Sequence, residues 1–539
     1  MQDYDWWRGA VIYQIYPLSF RDSDGDGIGD LAGVIEKLDY VAALGVDAVW
    51  IAPFFRSPLR DFGYDVAAQC EVDPIFGTIE TFDRLVARAH GLGLKVLIDQ
   101  VWGHSSDEHP WFRESRASRR GDKADWYVWA DPKPDGTPPN NWLSAFGGAA
   151  WTWEPRRRQY YLHHFLAAQP TYNLRNAAVI EALEAAARFW LARGVDGFRI
   201  DAVDFLLHDA ELRDNPPAPQ DEIPAKPFGL QHHRHDMLQP DVSDLLHRLR
   251  ALADAHPGTA LLGEVSSQDG AFARIARYTA AGRGLHMAYT LRPLRQDTFR
   301  HALGAALAEI EAAGGDGWPC WAFSNHDVER VASRWNPLRA RGLPPPKDFL
   351  HMLFALLLGL RGSICLYQGE ELGLEEAQLE LGELRDPFGI AYYPEFRGRD
   401  GSRTPMPWRG DAPHAGFTTG TPWLPIPNAH CAASVAGQEA DPASLLHAWR
   451  ALVRWRKAHP ALRCGTLARL ALDQSLLGFE RRHGDDRLLL LYNPAAEPAR
   501  VRLAQVPAVR PWHAAGARID GGDIVLGPYG FLWATDGRE

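Results

Sequence analysis

The sequence predicts an α/β protein built on a (β/α)8 TIM barrel, in which eight parallel strands are each followed by a helix. Short segments rich in Val, Ile and aromatic residues alternate with segments whose apolar residues recur at helical spacing. Eight such units fit in roughly the first 460 residues once one long irregular segment is set aside. A doubly wound open sheet is the alternative. No GxGxxG motif follows the first strand, which disfavours a dinucleotide-binding version of that fold.

The elements can be assigned in chain order. The predicted barrel strands are 11–16, 48–53, 95–99, 197–201, 260–265, 285–290, 318–324 and 363–367. The predicted helices are 30–44, 78–92, 177–193, 241–256, 270–282, 297–313 and 347–360. Gly45 is placed to end the first helix, and Thr78 is placed to cap the start of the second.

Two segments depart from this alternation. Residues 105–174 are rich in Trp, Pro, Gly and charge without a long helical pattern, which indicates a domain inserted after the third strand. Short strands at 476–480, 487–492, 499–503, 523–526 and 530–533 are typical of a small antiparallel β-sandwich. The predicted domains are a barrel formed by 1–104 and 175–465, the insertion 105–174, and a C-terminal β-domain 466–539.

Composition disfavours several classes of protein. The 57 Lys+Arg and 68 Asp+Glu give a net charge of −11, so no nucleic-acid partner is expected. Five cysteines without a CxxC motif argue against a disulfide framework or a zinc cluster. The start of the chain lacks a basic region followed by an apolar run, and the longest apolar run, 352–360, is too short to span a membrane. We therefore expect a cytoplasmic protein without membrane association, as a monomer or homodimer.

Charged side chains stand where the predicted barrel strands end, on the rim that carries the active site in barrel enzymes. They are Asp99, His104, Arg199, Asp201, Glu264, His326 and Asp327. Arg199 and Asp201 are two residues apart on one strand and so point to the same side. Alone, each residue could be a helix cap or part of the core. Their shared position favours a common function, because burying unpaired carboxylates is costly.

Two carboxylates, one ionised and one protonated, are what glycoside hydrolysis requires. We expect Asp201 to attack the anomeric carbon and Glu264 to protonate the leaving oxygen. Arg199, beside Asp201, should keep that carboxylate ionised, and crowding of like charges should raise the pKa of Glu264.

Six motifs follow one another along nearly the whole chain. They are DFGYD at 61–65, QPTYN at 169–173, GFRIDA at 197–202, LGEV at 262–265, FSNHD at 323–327 and GRDGSRTPMPW at 398–408. They resemble, in family order, the motifs of the α-amylase superfamily of glycoside hydrolases, specifically its α-glucosidase and oligo-1,6-glucosidase branch. The resemblance implies a (β/α)8 barrel with a domain B after strand three and a C-terminal β-domain, in agreement with the pattern above.

The resemblance also implies roles for single residues. Asp201 is expected to be the nucleophile, Glu264 the general acid/base, and Asp327 the residue that holds the sugar 2- and 3-hydroxyls. The expected substrate-binding residues are Asp61, Tyr64, His104, Arg199, His326 and Arg399, to which we add Phe146 and Phe165 as candidate pocket walls. Asp61 and Arg399 are expected to grip the non-reducing end and close the pocket behind one glucose.

The chain departs from the family pattern at four positions. Gly103 stands where the family has an Asn that helps to bind calcium near domain B, so a calcium ion is not expected there. Thr171 and Tyr172 replace the usual Asp-Leu of the branch motif, which tracks linkage preference. Ala202 stands where relatives that act on α-1,6 linkages tend to carry Val. These departures favour α-1,4 linkages and short substrates such as maltose.

The segment 22–30 (DSDGDGIGD) has the ligand order of a calcium loop. Its candidate ligands are Asp22, Asp24, Asp26, the Ile28 carbonyl and Asp30. Gly33 occupies position 12, where an EF-hand has a bidentate Glu, so the loop is not an EF-hand. Relatives in the branch bind Ca²⁺ or Mg²⁺ at the matching loop, and we expect a structural ion here. The alternative is a solvated acidic turn.

The function predicted from these observations is that of a retaining, exo-acting α-glucosidase. Its expected substrates are oligosaccharides or other α-glucosides, and its covalent intermediate could pass glucose to hydroxyl acceptors as well as to water. One alternative is a glucosyl isomerase such as a sucrose isomerase or trehalose synthase, although 370–397 lacks the Arg-rich loop of isomalt-forming relatives. The other is a non-catalytic relative associated with a transporter. Such relatives lose the acidic residues that this chain retains.

Overall fold

The computed structural model describes most of the chain. The described residues are 5–219, 224, 226–266, 270–280, 282, 284–291, 299–313, 316–473, 475–502, 510–520 and 523–535. Within them, no helix is long and apolar enough to cross a membrane.

Eight parallel strands form the barrel, as the sequence predicts. They are Val11–Ile15, Ala48–Ile51, Lys95–Gln100, Gly197–Ile200, Ala260–Val265, Met287–Thr290, Cys320–Ala322 and Ser363–Tyr367. Strands adjacent in the chain are neighbours in the sheet, and the first strand also pairs with the eighth. A parallel bridge between Ala288 and Pro319 joins the sixth strand to the seventh, which closes the barrel.

The strands alternate between two apolar environments. On the second strand, Val49 and Ile51 belong to the large core between strands and helices, while Ala48 and Trp50 belong to a separate cluster inside the barrel. This period of two places alternate side chains in the barrel interior. Inward-pointing polar side chains that lie beyond this cluster, toward the end of each strand, therefore stand on the carboxyl-end rim.

Helices fill the connections close to the predicted positions, and a further helix, Leu445–Ala458, was not predicted. The barrel helices are Leu31–Ala43, Ile79–Gly91, Ala177–Leu191, Val242–Asp254, Ala271–Tyr278, Phe299–Ala313, Lys347–Gly359 and Leu445–Ala458. Asp30 and Thr78 cap the first two by accepting hydrogen bonds from Gly33 N and Thr81 N. Gly45 adopts φ +81° after the first helix, the left-handed conformation that ends helices. Residues 297–298 of the predicted sixth helix lie outside the described residues.

Shorter helices lie between these elements. They are Pro110–Ala117, Val331–Arg334, Pro387–Tyr392, Asn428–Ala432, Val435–Ala440 and Pro460–Cys464. Pro110–Ala117 lies in the insertion. Pro387–Tyr392 lies in the long connection after the eighth strand, on the same rim as the carboxylates described below.

The insertion after the third strand holds a small antiparallel sheet. Its strands are Trp129–Ala130, Trp151–Glu154 and Gln159–Leu162, with the last in the middle. Trp142 and Trp151 are buried in the core of this segment, whereas Trp153 is 40% exposed. Before it, Phe55–Arg56 pairs with Ala68–Val72 in the loop that follows the second barrel strand.

The C-terminal segment forms an antiparallel β-domain, as predicted. Its strands are Thr466–Arg469, Leu477–His483, Asp486–Tyr492, Ala499–Arg502, Arg510–Asp520 and Asp523–Thr535. The strands predicted at 523–526 and 530–533 are one long strand, and Thr466–Arg469 and Arg510–Asp520 were not predicted. The domain docks on the helix Lys347–Gly359, where Tyr492 Oη donates to Ala355 O over 3.2 Å and Arg481 Nη1 donates to Gly359 O over 2.6 Å.

Candidate active site

One buried guanidinium lies at the centre of the rim. Arg199, on the fourth strand, contacts Asp99 over 2.5 Å and Asp201 over 2.6 Å through Nη1, and Glu264 through Nη2. Arg199 pairs in register with Leu262 of the fifth strand, so Glu264, two residues further on, points to the same side. Neighbouring parallel strands thus bring Asp201 and Glu264 to two nitrogens of the same group.

Burial controls the protonation of this pair. It raises the pKa of Asp201 to about 7, although Arg199 acts in the opposite direction. It also raises the pKa of Glu264 to about 7, with further contributions from Asp201 and Asp327. The expectation that like-charge crowding would raise the pKa of Glu264 agrees with the contributions of Asp201 and Asp327, although burial has the larger effect. The guanidinium lowers the pKa of Asp201 as expected, but it does not prevail over burial.

A third carboxylate lies near the pair with different partners. Asp327 accepts from Arg403 Nη2 over 2.9 Å and from Arg399 Nη1 over 3.3 Å, and His326 Nε2 lies 3.3 Å from its Oδ2. Burial raises the pKa of Asp327, but His326 and the two guanidinium groups lower it more, so it stays well below its usual range. Its side chain is 23% exposed, which leaves it open to a ligand.

His326 stands between two tyrosine rings. Its ring stacks on Tyr64, with centroids 5.3 Å apart, and on Tyr16, with centroids 5.6 Å apart. Its Nε2 lies 2.7 Å from Tyr64 Oη, and its Nδ1 lies 2.6 Å from Gln14 Nε2. Burial lowers its pKa to about 3, so the imidazole is neutral at ordinary pH.

A second polar group forms the other side of the site. Asp61 Oδ1 accepts from Arg399 Nη2 over 2.7 Å, and its Oδ2 accepts from Gln169 Nε2 over 2.9 Å. Gln169 Nε2 also lies 3.1 Å from His104 Nε2. The backbone N–H of Asp61 donates to Asp65 Oδ1, which fixes the turn that presents Asp61. The loop after the second strand, the insertion and the loop after the eighth strand therefore meet at this group.

Aromatic rings pack against the second polar group. Phe165 packs on His104 with ring centroids 5.2 Å apart, and Phe146 lies under the Arg399 guanidinium at 4.8 Å. Phe388, from the loop after the eighth strand, packs on Phe146 at 4.8 Å. The structure thus brings the predicted catalytic and substrate-binding residues into one connected network.

The structure adds residues that sequence reasoning did not single out. They are Gln14, Gln169, Tyr289, Asp386, Phe388 and Arg403, each in contact with a predicted site residue. Gln169 and Arg403 each lie within one of the quoted motifs, and Tyr289 is the last residue but one of a predicted strand, so their positions could have pointed to them. Asp386 and Phe388 lie in a connection without a recognised pattern, and only the fold shows their contacts.

Three of the four departures from the family pattern lie in two places. Tyr172 is buried at the base of the insertion, where Gln69 Nε2 donates to its Oη over 2.6 Å. Thr171 forms an isolated bridge with His104. Ala202 adopts a left-handed conformation at φ +40°, and its N–H donates to Glu264 Oε2 over 3.1 Å. Its small side chain packs with Phe205 and Met237 in a cluster that also contacts Phe165, one of the predicted pocket walls.

The loop at 22–30 gathers three of the predicted ligands. Carboxylate oxygens of Asp22, Asp24 and Asp30 lie within 4.8 Å of one another. Hard oxygen donors at this spacing suit Ca²⁺ or Mg²⁺. Asp26 lies outside this cluster, and its Oδ1 accepts from the Ile28 N–H over 2.7 Å. Asp30 also caps the first barrel helix, so the cluster is tied to the scaffold.

A closed barrel with a pair of buried carboxylates on its rim has the arrangement that barrel glycoside hydrolases use. The family model "Alpha amylase, catalytic domain" matches residues 14–465. The chain therefore belongs to the α-amylase family of glycoside hydrolases and is an enzyme of that family.

Known relatives are similar over almost the whole chain. A probable alpha-glucosidase of Rhizobium meliloti (strain 1021) is 52% identical over 504 residues, covering 92% of this chain and 91% of the relative. An oligo-1,6-glucosidase of Heyndrickxia coagulans is 35% identical over 524 residues, covering 91% and 92%. The solved alpha-glucosyl transfer enzyme XgtA is 52% identical with a TM-score of 0.94, covering 98% of this chain and 99% of that one.

Proposed function

We propose that this enzyme is a retaining, exo-acting α-glucosidase that releases terminal α-linked glucose and also transfers it to hydroxyl acceptors. The observation that carries the proposal is the contact of Asp201 and Glu264 with two nitrogens of the same buried guanidinium, Arg199. This contact keeps the two carboxylates close, and in retaining glycosidases the second carboxylate attacks the sugar directly. The similarity to a solved glucosyl transfer enzyme supports the transfer activity.

The proposed reaction has two displacements. In the reactive state, Asp201 is ionised and Glu264 holds the proton of the pair. Asp201 attacks the anomeric carbon and forms a covalent glucosyl ester, while Glu264 gives its proton to the leaving oxygen. Glu264, now ionised, then takes a proton from water or from another hydroxyl. That oxygen attacks the anomeric carbon and releases Asp201, with net retention of configuration.

The other site residues hold the glucose that reacts. Asp327 is ionised and partly exposed, so it can accept hydrogen bonds from sugar hydroxyls and stabilise positive charge in the transition state. Tyr64 and Phe146 offer ring faces to the sugar. The Asp61–Arg399 ion pair would close the pocket behind one glucose, so that only the end of a chain could enter. His104 and His326 complete the polar lining.

The finer specificity in this proposal rests on the departures from the branch motifs. Thr171, Tyr172 and Ala202 replace residues typical of α-1,6 specialists. We propose that α-1,4 linkages and short substrates such as maltose are preferred. A glucosyl isomerase, which would use the same acid pair, is the alternative. The retained carboxylates Asp201, Glu264 and Asp327 disfavour a non-catalytic role.

We further propose a structural cation at the 22–30 loop and a cytoplasmic location. Asp22, Asp24 and Asp30 would hold Ca²⁺ or Mg²⁺ there. When bound, the ion would neutralise three clustered carboxylates and stiffen the loop. Of the three, Asp30 also caps the first barrel helix, so ion binding would stabilise the barrel as a whole.

Chemical rescue tests the nucleophile. Asp201→Gly should lose activity on p-nitrophenyl α-glucoside, and azide should restore it with a β-glucosyl azide product, because azide enters from the face that the carboxylate vacates. Asp99→Ala is the matched control, since Asp99 contacts the same Arg199 nitrogen but is fully buried. It should lose activity without rescue. An α-glucosyl azide from the Asp201 variant would contradict double displacement.

Product analysis tests the specificity. Chromatography of products from maltose over time should show glucose together with glucosylated acceptors. Sucrose, supplied in parallel, should be hydrolysed or should donate glucose without a dominant rearranged disaccharide. If a rearranged disaccharide is the main product, the isomerase alternative is correct.

A further inference from the structure

Arg399 is surrounded by three carboxylates from three different loops. Its Nη2 donates to Asp61 over 2.7 Å, and its Nη1 donates to Asp327 over 3.3 Å. Asp386 takes the remaining edge, accepting from Nε over 3.0 Å and from Nη2 over 2.9 Å. The backbone N–H of Arg399 also donates to Asp386, over 2.8 Å. Asp386 therefore makes more contacts with Arg399 than either carboxylate of the pocket.

Asp386 is itself fixed by its surroundings. It is fully buried, and its N–H donates to Asp400 Oδ2 over 2.7 Å. Its own Oδ1 accepts from Phe388 N over 3.2 Å and so caps the helix Pro387–Tyr392. Phe388 packs on Phe146, the ring that lies under the Arg399 guanidinium. Asp386 thus fixes one edge of the Arg399 guanidinium directly. Through its neighbour Phe388 it also helps to hold Phe146, the ring that covers one face of that guanidinium.

The charge of Asp386 is constant over the working pH range. Burial raises its pKa, but Arg399 lowers it more, to about 2. Arg399 therefore has a permanent anionic partner that is separate from Asp61 and Asp327. Without that partner, the planar guanidinium would be drawn toward the two remaining carboxylates. It would then occupy hydrogen-bonding positions on Asp61 and Asp327 that glucose hydroxyls need.

We propose that Asp386 is a positioning residue for substrate recognition, which holds Arg399 between Asp61 and Asp327 in the geometry that receives the terminal glucose. This inference rests on the function proposed above. The contacts of Asp386 run to Arg399 and to its own loop, and not to the carboxylates on Arg199. Its loss should therefore weaken binding of the terminal glucose, whatever group follows it, and should leave the chemical step nearly intact.

The test compares two buried carboxylates of one loop. Asp386→Asn keeps the shape and the helix cap but removes the charge. It should raise KM by about tenfold or more, as expected for losing hydrogen bonds to a charged group, with kcat within about threefold. The factor should be the same for p-nitrophenyl α-glucoside and maltose. Asp400→Asn is the control, because Asp400 is equally buried but accepts from the backbone of Arg385 and Asp386.

The Asp400→Asn variant measures the effect of damage to the loop alone. If the two variants lose a similar amount of Tm, the KM of Asp400→Asn should rise less than the KM of Asp386→Asn. The proposal is overturned if Asp386→Asn leaves KM within about twofold of the wild type, or if Asp400→Asn raises KM equally. Should Asp386→Asn misfold, Asp386→Ser carries the same test, since Ser also caps helices.

A binding experiment separates this proposal from the proposed function. Maltose is titrated by calorimetry into Glu264→Gln and into the double variant with Asp386→Asn, neither of which should turn it over. The ratio of their Kd values should equal the KM ratio above. A wild-type chain that hydrolyses no α-glucoside would contradict the proposed function. Equal Kd values for the two variants would contradict the role of Asp386 alone.

Discussion

Gln14 Nε2 lies 2.6 Å from Nδ1 of His326, and both side chains are fully buried. The other imidazole nitrogen, Nε2, lies 3.3 Å from Asp327 Oδ2, an acceptor. A neutral imidazole has one proton, so the proton belongs on Nε2, which faces Tyr64 Oη at 2.7 Å as well as Asp327, while Nδ1 accepts from the Gln14 amide. Gln14, on the first strand, therefore fixes which nitrogen of His326 can donate to a ligand.

We expect Gln14→Met to lower kcat/KM about tenfold, since His326 is proposed to contact the substrate and the loss of one of its hydrogen-bond partners costs roughly 1–2 kcal/mol of orientation. Met is close in size, so the packing of the strand should change little. The measurement is kcat/KM on p-nitrophenyl α-glucoside together with the Tm. Unchanged kcat/KM at unchanged Tm would show that His326 needs no support from the first strand.

The acid pair should give a bell-shaped pH profile centred near neutrality. Burial raises the pKa of both Asp201 and Glu264 to about 7, and the reaction needs one proton on the pair. Activity should fall at low pH as Asp201 becomes protonated and at high pH as Glu264 loses its proton. The check is kcat/KM between pH 4 and 10 on a substrate whose leaving group needs protonation, such as maltose. A flat profile between pH 5 and 9 would contradict this assignment.

The same burial should oppose folding above neutral pH. A carboxyl whose pKa is raised in the folded state binds its proton more tightly there than in the unfolded chain. Stability is therefore greatest below the unfolded pKa and falls as the pH rises toward the folded pKa. We expect Glu264→Gln to raise the free energy of unfolding relative to the wild type by ~1–3 kcal/mol at pH 8, and by much less at pH 4. Thermal unfolding at both pH values measures the difference. A gain equal at both pH values would assign the effect to packing instead.

Most of the fold could be read from periodicity, because the barrel repeats one short pattern. Strands buried on both sides show as runs of Val, Ile and Leu, and caps such as Asp30 and Thr78 mark helix starts. The strand Arg510–Asp520 could not be predicted from its residues. It contains Pro511, Gly516 and several Ala, which have low β-propensity, and it forms by pairing along the strand Asp523–Thr535 with two irregularities.

The site residues also fall into those that the sequence could predict and those that it could not. Residues at strand ends, such as Asp201 and Glu264, follow from the topology, since parallel strands bring their carboxyl ends to one rim. Asp386 and Phe388 lie in a connection of irregular structure, where position along the chain does not determine position in space. Their contacts with Arg399 and Phe146 depend on how three loops pack together. The order of pKa causes at Glu264 also required the structure, because burial depends on every neighbouring loop.

The acidic loop offers a test with a matched pair of variants. Asp24 belongs to the cluster of three carboxylates but is exposed, so Asp24→Asn removes one ligand with little structural damage. Asp26 is two residues away and lies outside the cluster, although the ligand order of the sequence includes it.

If the loop holds Ca²⁺ or Mg²⁺, a chelator should lower the Tm of the wild type and added ion should restore it, since an ion that binds only the folded state stabilises it by mass action. Asp24→Asn should abolish that response, and Asp26→Asn should preserve it if Asp22, Asp24 and Asp30 suffice as side-chain ligands. Loss of the response in both variants would show that Asp26 is a ligand as well. A wild-type Tm that ignores both chelator and ion would identify the loop as a solvated acidic turn.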